Sequence, residues 1–559
     1  MFGIAAVMAV AFVAWGFLAP SNLGSASGSA LGWIETNLGW LFVLLASGFV
    51  VYVLWLAASR YGRIPLGRDD EAPEFHTISW IAMMFSAGMG IGLMFYGVSE
   101  PLSHYVSPPP GTSQGETPDA IRTAMATTLF HWTLHPWAIY AVVGLAIAYG
   151  TFRRGRRQLI SAAFEPLIGR RRAEGPAGKV IDVLAIFATL FGSAASLGLG
   201  ALQIGSGVQI LGWAGSVGNG VLVAIIAVLT AAFVASAVSG VARGIQWLSN
   251  INMVLAITLA LFVFVAGPTV FILNLLPEAI GAYFSDLGQM VGRTDAAGGD
   301  AMAQWLRGWT VFYWAWWISW TPFVGLFIAR ISRGRTIRQF VTGVLLVPSA
   351  VSLVWFAVFG GAGIAAQQSG ADVAGQSTSE GQLFGVLGQY PLATVMTVLV
   401  MVLVAIFFVS GADAASIVMG SLSERGTISP SRRIVVFWGV VMGAVAAIML
   451  LVGGDDALTG LQNLTIIAAL PFALVMVGLA VSLAKDLRSD PMVLRRAYAT
   501  EAVEQAVVEG ITRHGEDFQL VVEPAPTVRA ESNSVAPLTE DGSPVRGDAH
   551  AGRPQDPRD

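Results

Sequence analysis

The chain of 559 residues contains no cysteine and few charged residues, and each absence excludes a class of function. Without cysteine it can form no disulfide, thiol nucleophile or thiolate metal site. Its six histidines show no H-E-x-x-H or comparable ligand spacing, and it has no Walker A loop. Charged residues make up 12% of the chain, about half the share typical of soluble globular proteins. The sequence therefore predicts neither an enzyme nor a pump driven directly by ATP.

Apolar sequence is what the chain has in abundance. Hydrophobic residues make up 55% of it, and the mean hydropathy is +0.67. Runs of about 20 apolar residues or more, long enough to cross a bilayer, fall near 2–19, 39–58, 78–99, 124–150, 180–213, 219–239, 248–275, 305–329, 339–366, 388–421, 434–453 and 461–484. This pattern predicts an all-α polytopic membrane protein with about twelve transmembrane helices. No basic segment precedes the first run, which argues against a signal peptide. We expect the cytoplasmic N-terminal arm to be very short or missing from this chain.

The loops between these runs alternate in charge. One set of alternate loops carries 19 basic residues, and the opposite set carries only Arg122, Arg293 and Arg307. Basic loops stay on the cytoplasmic side of a membrane. The alternation therefore predicts a multi-pass protein of the cell membrane with both termini in the cytoplasm.

Five segments follow from these patterns. Residues 1–75 hold two spans and a cytoplasmic loop, residues 76–275 hold spans three to seven, and residues 305–485 hold spans eight to twelve. Residues 276–304 form an extracellular loop, in which amphipathic Pro277–Val291 predicts a helix on the outer membrane surface; an ordinary loop is the alternative. Residues 486–559 form a cytoplasmic tail, predicted to be helical over Asp490–Gly515 and disordered from 523 onward.

Two stretches of the chain resemble each other at a distance. FATLFGSAAS at 187–196 in the fifth span resembles FFVSGADAAS at 407–416 in the tenth. Glycines interrupt the third span at 88–92, and Thr321-Pro322 with Gly325 predict a break at the matching place in the eighth. A repeat of five spans must be inverted, and inverted repeats with broken helices are typical of secondary transporters with a site at the midplane. Close helix packing is the alternative explanation of the glycines.

The stretch Trp309–Arg338 is unusually aromatic. Wound as a helix at about 100° per residue, it places most of its rings within an arc of roughly 120°, namely Trp305, Trp309, Tyr313, Trp316, Trp317 and Trp320. Trp314 points elsewhere. A wall of ring faces suits a quaternary ammonium group, which has no N–H to donate. Packing and anchoring at the membrane interface remain the other interpretations.

The string WTVFYWAWWISWTPFVGLFIARISRGR resembles the signature of the betaine/choline/carnitine transporters (BCCT) almost residue for residue. GMGIG at 88–92 and HWTLHPWAIY at 131–140 match other landmarks of that family, and the resemblance covers about residues 1–485. It implies a LeuT-type fold, in which two inverted five-helix repeats follow two extra helices. It also implies a homotrimer, with the surface helix near 277–291 contributing to the trimer contacts.

The resemblance further implies the substrate site. The family's aromatic box and substrate pathway correspond to Trp132, Trp137, Tyr140, Trp316, Trp317, Trp320, Phe312, Gly88, Met89, Gly90 and Gly92. Proton-coupled choline carriers of the family tend to have an aspartate where this chain has Gly92, whereas sodium-coupled betaine carriers read GMGIG. An uncharged residue leaves room for a carboxylate, which favours glycine betaine as the substrate.

Sodium ions are the co-transported cofactors that the resemblance implies, with no organic cofactor. The family's ligand positions correspond to Ser86, Met89, Phe407 and Ser410 at one site and to Thr189, Ser193 and Phe323 at the other. Gly411 stands where the family often bears a hydroxyl, so the first site has lost one ligand or replaced it by water.

Other polar residues inside the spans are expected to serve the structure. We interpret His131 and His135 as packing histidines, with a proton role as the alternative. We expect Asp413 to face the interior of the bundle and to cap or bridge helices near the cytoplasmic side, with a proton relay as the alternative. Asp182 and Glu100 lie near the ends of spans, so we expect them at the membrane interface.

The sequence thus favours a sodium-coupled importer of a quaternary-ammonium osmolyte that works by alternating access. A proton-coupled choline carrier or a carrier of ectoine or proline is the alternative, and a membrane osmosensor acting through its tail is an alternative of a different class. The expected partners are a small zwitterionic or cationic osmolyte, membrane lipid including anionic lipid, and further copies of the chain, with no nucleic acid.

Overall fold

The computed structural model describes residues 1–88, 90–239, 242–376, 378–427, 429–453 and 456–521. Within these ranges the chain is helical and has no β-strand beyond one isolated bridge between Pro65 and Thr336. It divides into two compact units, Met1–Leu494 and Arg495–Asp559. The first unit contains everything that positions the candidate site.

The α-helices are, in chain order, α1 (Phe2–Leu18), α2 (Pro20–Ala58), α3 (Thr77–Gly88), α4 (Ile91–Val106), α5 (Pro118–Trp132), α6 (Leu134–Ala148), α7 (Glu165–Ile168), α8 (Arg170–Ala173), α9 (Pro176–Ile210), α10 (Asn219–Ser239), α11 (Ala242–Ala266), α12 (Thr269–Val291), α13 (Asp295–Leu306), α14 (Phe312–Ile331), α15 (Ile337–Gln368), α16 (Gly381–Leu387), α17 (Ala393–Ser423), α18 (Arg432–Val452), α19 (Ala457–Arg488) and α20 (Pro491–His514).

Ten helical segments of the described residues are long and apolar enough to cross a membrane. Nine of them coincide with predicted spans. The other three predicted spans are two shorter apolar helices, Phe2–Leu18 and Asn250–Ala266, and the interrupted pair α3 and α4. The tenth segment is Thr269–Val291, which contains the stretch predicted as a surface helix. The helices of the structure therefore agree with the multi-pass membrane protein that the sequence predicts.

Helix α12 has one apolar face that is buried against the bundle. Ile272, Leu275, Ala279, Ala282 and Tyr283 are buried at helical spacing, and the helix packs against α5 and α15. It starts at Thr269, eight residues before the predicted amphipathic stretch. The opposite face holds exposed apolar residues such as Val270, Leu273 and Phe284, as expected of a helix that also contacts lipid.

Corresponding helices of the two predicted repeats pack in corresponding pairs. Helix α14 of the eighth span packs against α6 of the fourth, just as α15 of the ninth packs against α3 and α4 of the third. Helices α9 and α17 pack on each other, and so do α10 and α18. In a five-plus-five inverted repeat, helices of one repeat pack against helices of the other in such matched pairs. Helices α1 and α2 precede both repeats. The all-helical fold is confirmed, and these helix pairs agree with the predicted LeuT-type arrangement.

The third span is interrupted at its glycines. Helix α3 ends at Gly88, and α4 begins at Ile91 after Gly90, whose backbone is extended at φ −169° and ψ 179°. Met89 lies outside the described residues. The interruption leaves the first N–H groups of α4 without acceptors in their own helix.

The predicted break in the eighth span was wrong. Helix α14 runs without interruption through Pro322. Proline has no N–H to give to the carbonyl of Ile318, but the Thr321 hydroxyl donates to that carbonyl at 2.6 Å instead. Gly325 serves close packing, because a Cβ there would come within 2.8 Å of Val143 on α6. Of the three residues that suggested a break, Thr321 supports the continuous helix and Gly325 allows it to pack closely on α6.

A polar cluster ties the end of the helical bundle together. The buried Asp490 carboxylate accepts hydrogen bonds from the Tyr149 hydroxyl at 2.9 Å and from Arg153 at 3.0 and 3.1 Å. Burial raises the pKa of Asp490, but these hydrogen bonds and the charge of Arg153 outweigh burial, and the pKa lies below its ordinary value. Asp69, which is partly exposed, is a second partner of Arg153.

The Asp490→Asn variant should therefore be less stable than the wild type. It leaves the Arg153 guanidinium largely buried without its main counter-charge, a change that costs about 2 kcal/mol or more. We expect a lower Tm in detergent at pH 7, measured by loss of the monodisperse peak in size-exclusion chromatography after heating.

The control is Asp69→Asn, whose half-exposed carboxylate should contribute below about 1 kcal/mol. Because the folded-state pKa of Asp490 is depressed, its contribution is complete above the unfolded pKa near 4. It is lost as the pH falls through the folded value. Equal Tm losses in the two variants at pH 7 would contradict this account.

Candidate functional site

A cavity lies where α4, α6, α14 and α15 approach the end of α5. Its walls are formed by Gly90, Gly92, Leu93, Trp132, Pro136, Trp137, Tyr140, Trp316, Trp317, Trp320, Val324 and Ser352. Six of these are aromatic, and none of these twelve described residues carries a charge.

A bend between α5 and α6 brings the fourth-span rings to one cavity. Thr133 leaves the helical conformation at φ −115° and ψ −109°, and its hydroxyl donates to the Leu129 carbonyl at 2.6 Å. Trp132 lies before this bend, whereas Trp137 and Tyr140 lie one and two turns after it. All three rings therefore reach the cavity wall, although they belong to two helices.

The eighth-span rings complete the wall. Trp316 and Trp317 stack at 4.7 Å with 16° between their planes. Trp132 meets Trp317 edge-to-face at 4.9 Å, and Tyr140 meets it at 6.2 Å and 80°. Edge-to-face contacts set neighbouring rings at steep angles to each other. Several ring faces can then surround one ligand group.

The indole N–H groups of the wall are bound away from the ligand space. Trp316 donates to the Ser196 hydroxyl at 3.2 Å, Trp317 to the His131 carbonyl at 3.0 Å and Trp320 to the Gly192 carbonyl at 2.8 Å. These hydrogen bonds hold the rings in place. What the rings offer the cavity is their π surface, which attracts cations.

The first turn of α4 forms another part of the cavity wall. Gly90, Gly92 and Leu93 line it, so the N–H groups of the first turn of this helix lie beside the ligand space, where the Leu93 N–H donates to the Gly90 carbonyl at 3.2 Å. The N-terminus of a helix attracts anions through these N–H groups and the helix dipole. Ser352 of α15 adds a hydroxyl to the same cavity.

The structure brings together most of the predicted substrate residues. Eight of them line the cavity: Trp132, Trp137, Tyr140, Trp316, Trp317, Trp320, Gly90 and Gly92. Phe312 is buried behind the wall, where it stacks on Trp316 at 5.6 Å. Gly88 is the last residue of α3, and the predicted Met89 contribution lies outside the described residues.

The predicted sodium ligands fall in two places. Thr189 and Ser193 are buried on α9. They flank Gly192, whose carbonyl binds Trp320, and the Trp320 ring contacts Phe323 at 5.8 Å. This set therefore lies where α9 meets α14.

Only part of the other predicted set of sodium ligands lies within the described residues. Ser410 on α17 donates its hydroxyl to Ile406 at 2.8 Å and reaches the Phe407 carbonyl at 3.3 Å. Ser86 lies in α3, and Met89 lies outside the described residues. A Cβ at Gly411 would meet no atom within 4 Å, so a larger residue would fit there.

The expectation that Glu100 lies at the membrane interface was wrong. Its side chain is fully buried and accepts hydrogen bonds from Trp132 at 2.6 Å and Tyr313 at 2.5 Å. His131 binds Glu100 at 2.6 Å and Thr310 at 2.9 Å through its two ring nitrogens. The presence of an acid inside an apolar span was the sequence feature that could have predicted the burial of Glu100. No feature of the sequence marked Pro136, Val324 and Ser352 as residues of the cavity wall.

Comparisons with known proteins agree on one family. The sequence model of the BCCT, betaine/carnitine/choline family transporters matches residues 1–492. The betaine/ectoine transporter LcoP of Corynebacterium glutamicum is 49% identical over 528 residues, covering 94% of this chain and 83% of that protein. The glycine betaine transporter OpuD of Bacillus subtilis is 45% identical over 500 residues, covering 89% and 96%.

A solved structure of a Na⁺-coupled sialic acid symporter in a substrate-bound outward-open state is more distant. It aligns with a TM-score of 0.41 at 12% identity, covering 79% of this chain and 86% of that chain. No conclusion about this chain rests on that likeness.

A methyl group at Gly92 should damage the cavity. The Cβ of Gly92→Ala would lie 2.7 Å from the Trp316 ring and 2.9 Å from the Trp132 ring, so both rings must move. We expect tetramethylammonium to bind about tenfold more weakly, as judged by titration of tryptophan fluorescence in detergent.

Gly90→Ala is the matched control. It adds the same methyl group to the same cavity lining, but its Cβ would meet nothing within 4 Å. Binding should therefore change less than about twofold. Similar losses in both variants would show that the rings near Gly92 do not form the cation site.

Proposed function

The chain belongs to the betaine/carnitine/choline family of transporters, and from that premise we propose that it imports glycine betaine together with sodium ions by alternating access. The observation that carries the proposal is the cavity with aromatic faces on one side and the start of α4 on another. The protein is a multi-pass membrane transporter and not an enzyme.

The trimethylammonium group of glycine betaine suits the aromatic side of the cavity. It carries a full positive charge and has no N–H, so it gains nothing from hydrogen-bond acceptors and much from ring faces. Trp132, Trp137, Tyr140 and Trp317 supply those faces, with Trp316 and Trp320 beside them. A primary ammonium would lose its hydrogen bonds to water in such a site without replacement.

The carboxylate of glycine betaine suits the α4 side. The free N–H groups after Gly90 supply donors, and the positive end of the helix dipole adds attraction. Choline has a hydroxyl in place of this carboxylate and would gain less there. An acid at position 92 would repel the carboxylate and meet the rings of Trp132 and Trp316. The cavity therefore favours a zwitterion over choline.

Sodium coupling is supported by the oxygen-rich contact between α9 and α14. Thr189 and Ser193 lie on either side of Gly192, and the Trp320–Gly192 hydrogen bond connects that segment with the aromatic wall. A sodium ion bound there would order the same part of α14 that carries the wall. This link is a physical route by which the ion and the osmolyte assist each other's binding.

Ectoine is the second candidate substrate. It is also a zwitterion, and the 49% identical relative is named a betaine/ectoine transporter. Its ring N–H groups would require acceptors in the cavity, where the described polar side chains are few. Proline faces the same requirement. Glycine betaine suits both sides of the cavity, because its carboxylate can accept from the N–H groups of α4 and its trimethylammonium group can contact the aromatic wall.

The orientation and assembly complete the proposal. The charge alternation of the loops supports a cytoplasmic position of both termini. The apolar outer faces of α10, α11 and α12 suit contact with lipid and with further copies of the chain in a homotrimer. The length of the tail is the support for osmotic regulation as an addition to transport, although α20 mixes acidic and basic residues, unlike a polybasic sensor.

Uptake into proteoliposomes tests the proposed function. Labelled glycine betaine should accumulate when an inward sodium gradient is imposed, because the sodium concentration gradient and the membrane potential can both drive its uptake. An inward proton gradient without sodium should give no accumulation. Accumulation with protons alone would contradict sodium coupling, and accumulation of labelled ectoine but not of labelled betaine under the sodium gradient would favour the second candidate.

The Trp317→Ala variant tests the aromatic wall directly. It removes the ring that contacts Trp132, Trp316 and Tyr140, and a desolvated cation–π contact is worth on the order of 2 kcal/mol. Uptake of betaine at concentrations below KM should fall about 30-fold.

Trp40→Ala is the matched control, because Trp40 lies on α2 and is exposed. Its uptake should remain close to that of the wild type. If Trp317→Ala transported betaine as well as Trp40→Ala, the cavity would not be the substrate site.

A further inference from the structure

We propose that Glu100 is the counter-charge of the cavity, whose carboxylate fixes the Trp132 ring from behind and strengthens its attraction for a quaternary ammonium. This inference rests on the proposed function and adds to it a residue that does not touch the substrate. Glu100 is thus a positioning and specificity residue.

The carboxylate lies behind the ring wall. Glu100 is on α4, about two turns beyond Gly92, and its side chain is fully buried. One oxygen accepts the Trp132 indole N–H at 2.6 Å and the Tyr313 hydroxyl at 2.5 Å. The other oxygen meets His131 Nδ1 at 2.6 Å. Trp132 is therefore the contact through which Glu100 acts on the cavity.

The donors around Glu100 suit the ionised carboxylate. An indole N–H can only donate, so the oxygen bound by Trp132 acts as an acceptor. In the His131 tautomer whose Nε2 accepts from the Thr310 hydroxyl, the Nδ1 proton is directed at Glu100. The Trp132 and Tyr313 donors, with His131 in this tautomer, oppose the burial that disfavours a charged carboxylate.

The nearest arginine does not pair with the carboxylate directly. Arg293 lies over the Trp305 ring at 5.3 Å and donates to the Thr127 hydroxyl at 3.1 Å. The Trp305 ring contacts His104 at 5.5 Å and His131 at 6.1 Å, and the Nε2 atom of His104 lies 3.5 Å from Glu100. Among the described residues no ion pair joins Arg293 to Glu100, so part of the negative charge of Glu100 is left to act toward the cavity.

A carboxylate that accepts an indole N–H changes what the ring offers. The hydrogen bond draws the N–H electrons toward the ring and makes the ring faces more negative. Attraction between a cation and a ring grows with that negative charge and is strongest where water is excluded. The cavity can then attract a cation although none of its described lining residues is charged. The substrate also avoids a direct ion pair, which would slow its release.

A metal ion is the competing occupant of this cluster. Ligand atoms of Glu100, His104 and His131 lie within 4.8 Å of one another. A bound divalent cation would compete with the His131 proton for the same carboxylate oxygen and would lie near Arg293. The hydrogen-bonded arrangement therefore favours the counter-charge, and the metal becomes an outcome of the test.

A pair of isosteric ligands separates charge from shape. Glycine betaine and 3,3-dimethylbutyrate have the same outline and carboxylate, but the second has carbon in place of the positive nitrogen. In the wild type betaine should bind more tightly than the isostere. In Glu100→Gln the affinity for betaine should fall about tenfold while that for the isostere changes less than about twofold.

Equal losses for both ligands would show a structural role only and would overturn the inference. Failure of the wild type to bind betaine would refute the proposed function, and with it the inference. One equivalent of zinc or another transition metal in the purified wild type, absent from Glu100→Gln, would identify a metal site and also overturn it. Both ligands are titrated by tryptophan fluorescence on the full chain.

A second pair of variants applies if Glu100→Gln does not fold. Trp132→Phe and Trp317→Phe make the same change of ring, but Trp132 loses a hydrogen bond to a carboxylate and Trp317 loses one to the His131 carbonyl. The preference for betaine over the isostere should fall at least about threefold further in Trp132→Phe than in Trp317→Phe. Equal falls would contradict a special role for the carboxylate.

Discussion

In the proposed function, attraction between a methylated ammonium group and aromatic faces is the interaction on which transport depends. It acts only at short range and is strong only in a dry site. The rings must therefore be held in place before the substrate arrives. Trp132, Trp316, Trp317 and Trp320 each donate their N–H to a fixed acceptor outside the cavity, and Trp316 stacks on Trp317. The binding wall is thus rigid without any charge in its lining.

The packing of α14 against α6 is what brings these rings together. Helix α14 must lie close against α6, and small residues allow it, because a Cβ at Gly144 would come within 2.8 Å of Ile328 and one at Gly325 within 2.8 Å of Val143. Helix α14 must also stay regular so that its rings keep one face, and the Thr321 hydroxyl supports it next to Pro322. The interruption before α4 has a different effect, because it leaves N–H groups without acceptors in their own helix, where an anion can bind. One cavity therefore combines a regular helix and a broken one.

Much of this arrangement could be predicted from the sequence, because it depends on spacing along single helices. Ring positions in the eighth span follow from helical periodicity, and the number of spans follows from apolar runs. The break predicted at Pro322 was wrong because the sequence shows Thr321 but not that its hydroxyl donates to the Ile318 carbonyl, which Pro322 leaves without a donor. The burial of Glu100 was missed because its partners lie 31 and 213 residues away in the chain. Such contacts depend on how helices pack, which local patterns do not encode.

The most direct test of the account is a cryo-electron microscopy map of the full chain with glycine betaine and sodium. The account predicts density for the trimethylammonium group among Trp132, Tyr140 and Trp317, with the carboxylate directed at the backbone after Gly90. Density for betaine outside this cavity would contradict the account, and so would the reverse orientation, with the carboxylate against the rings.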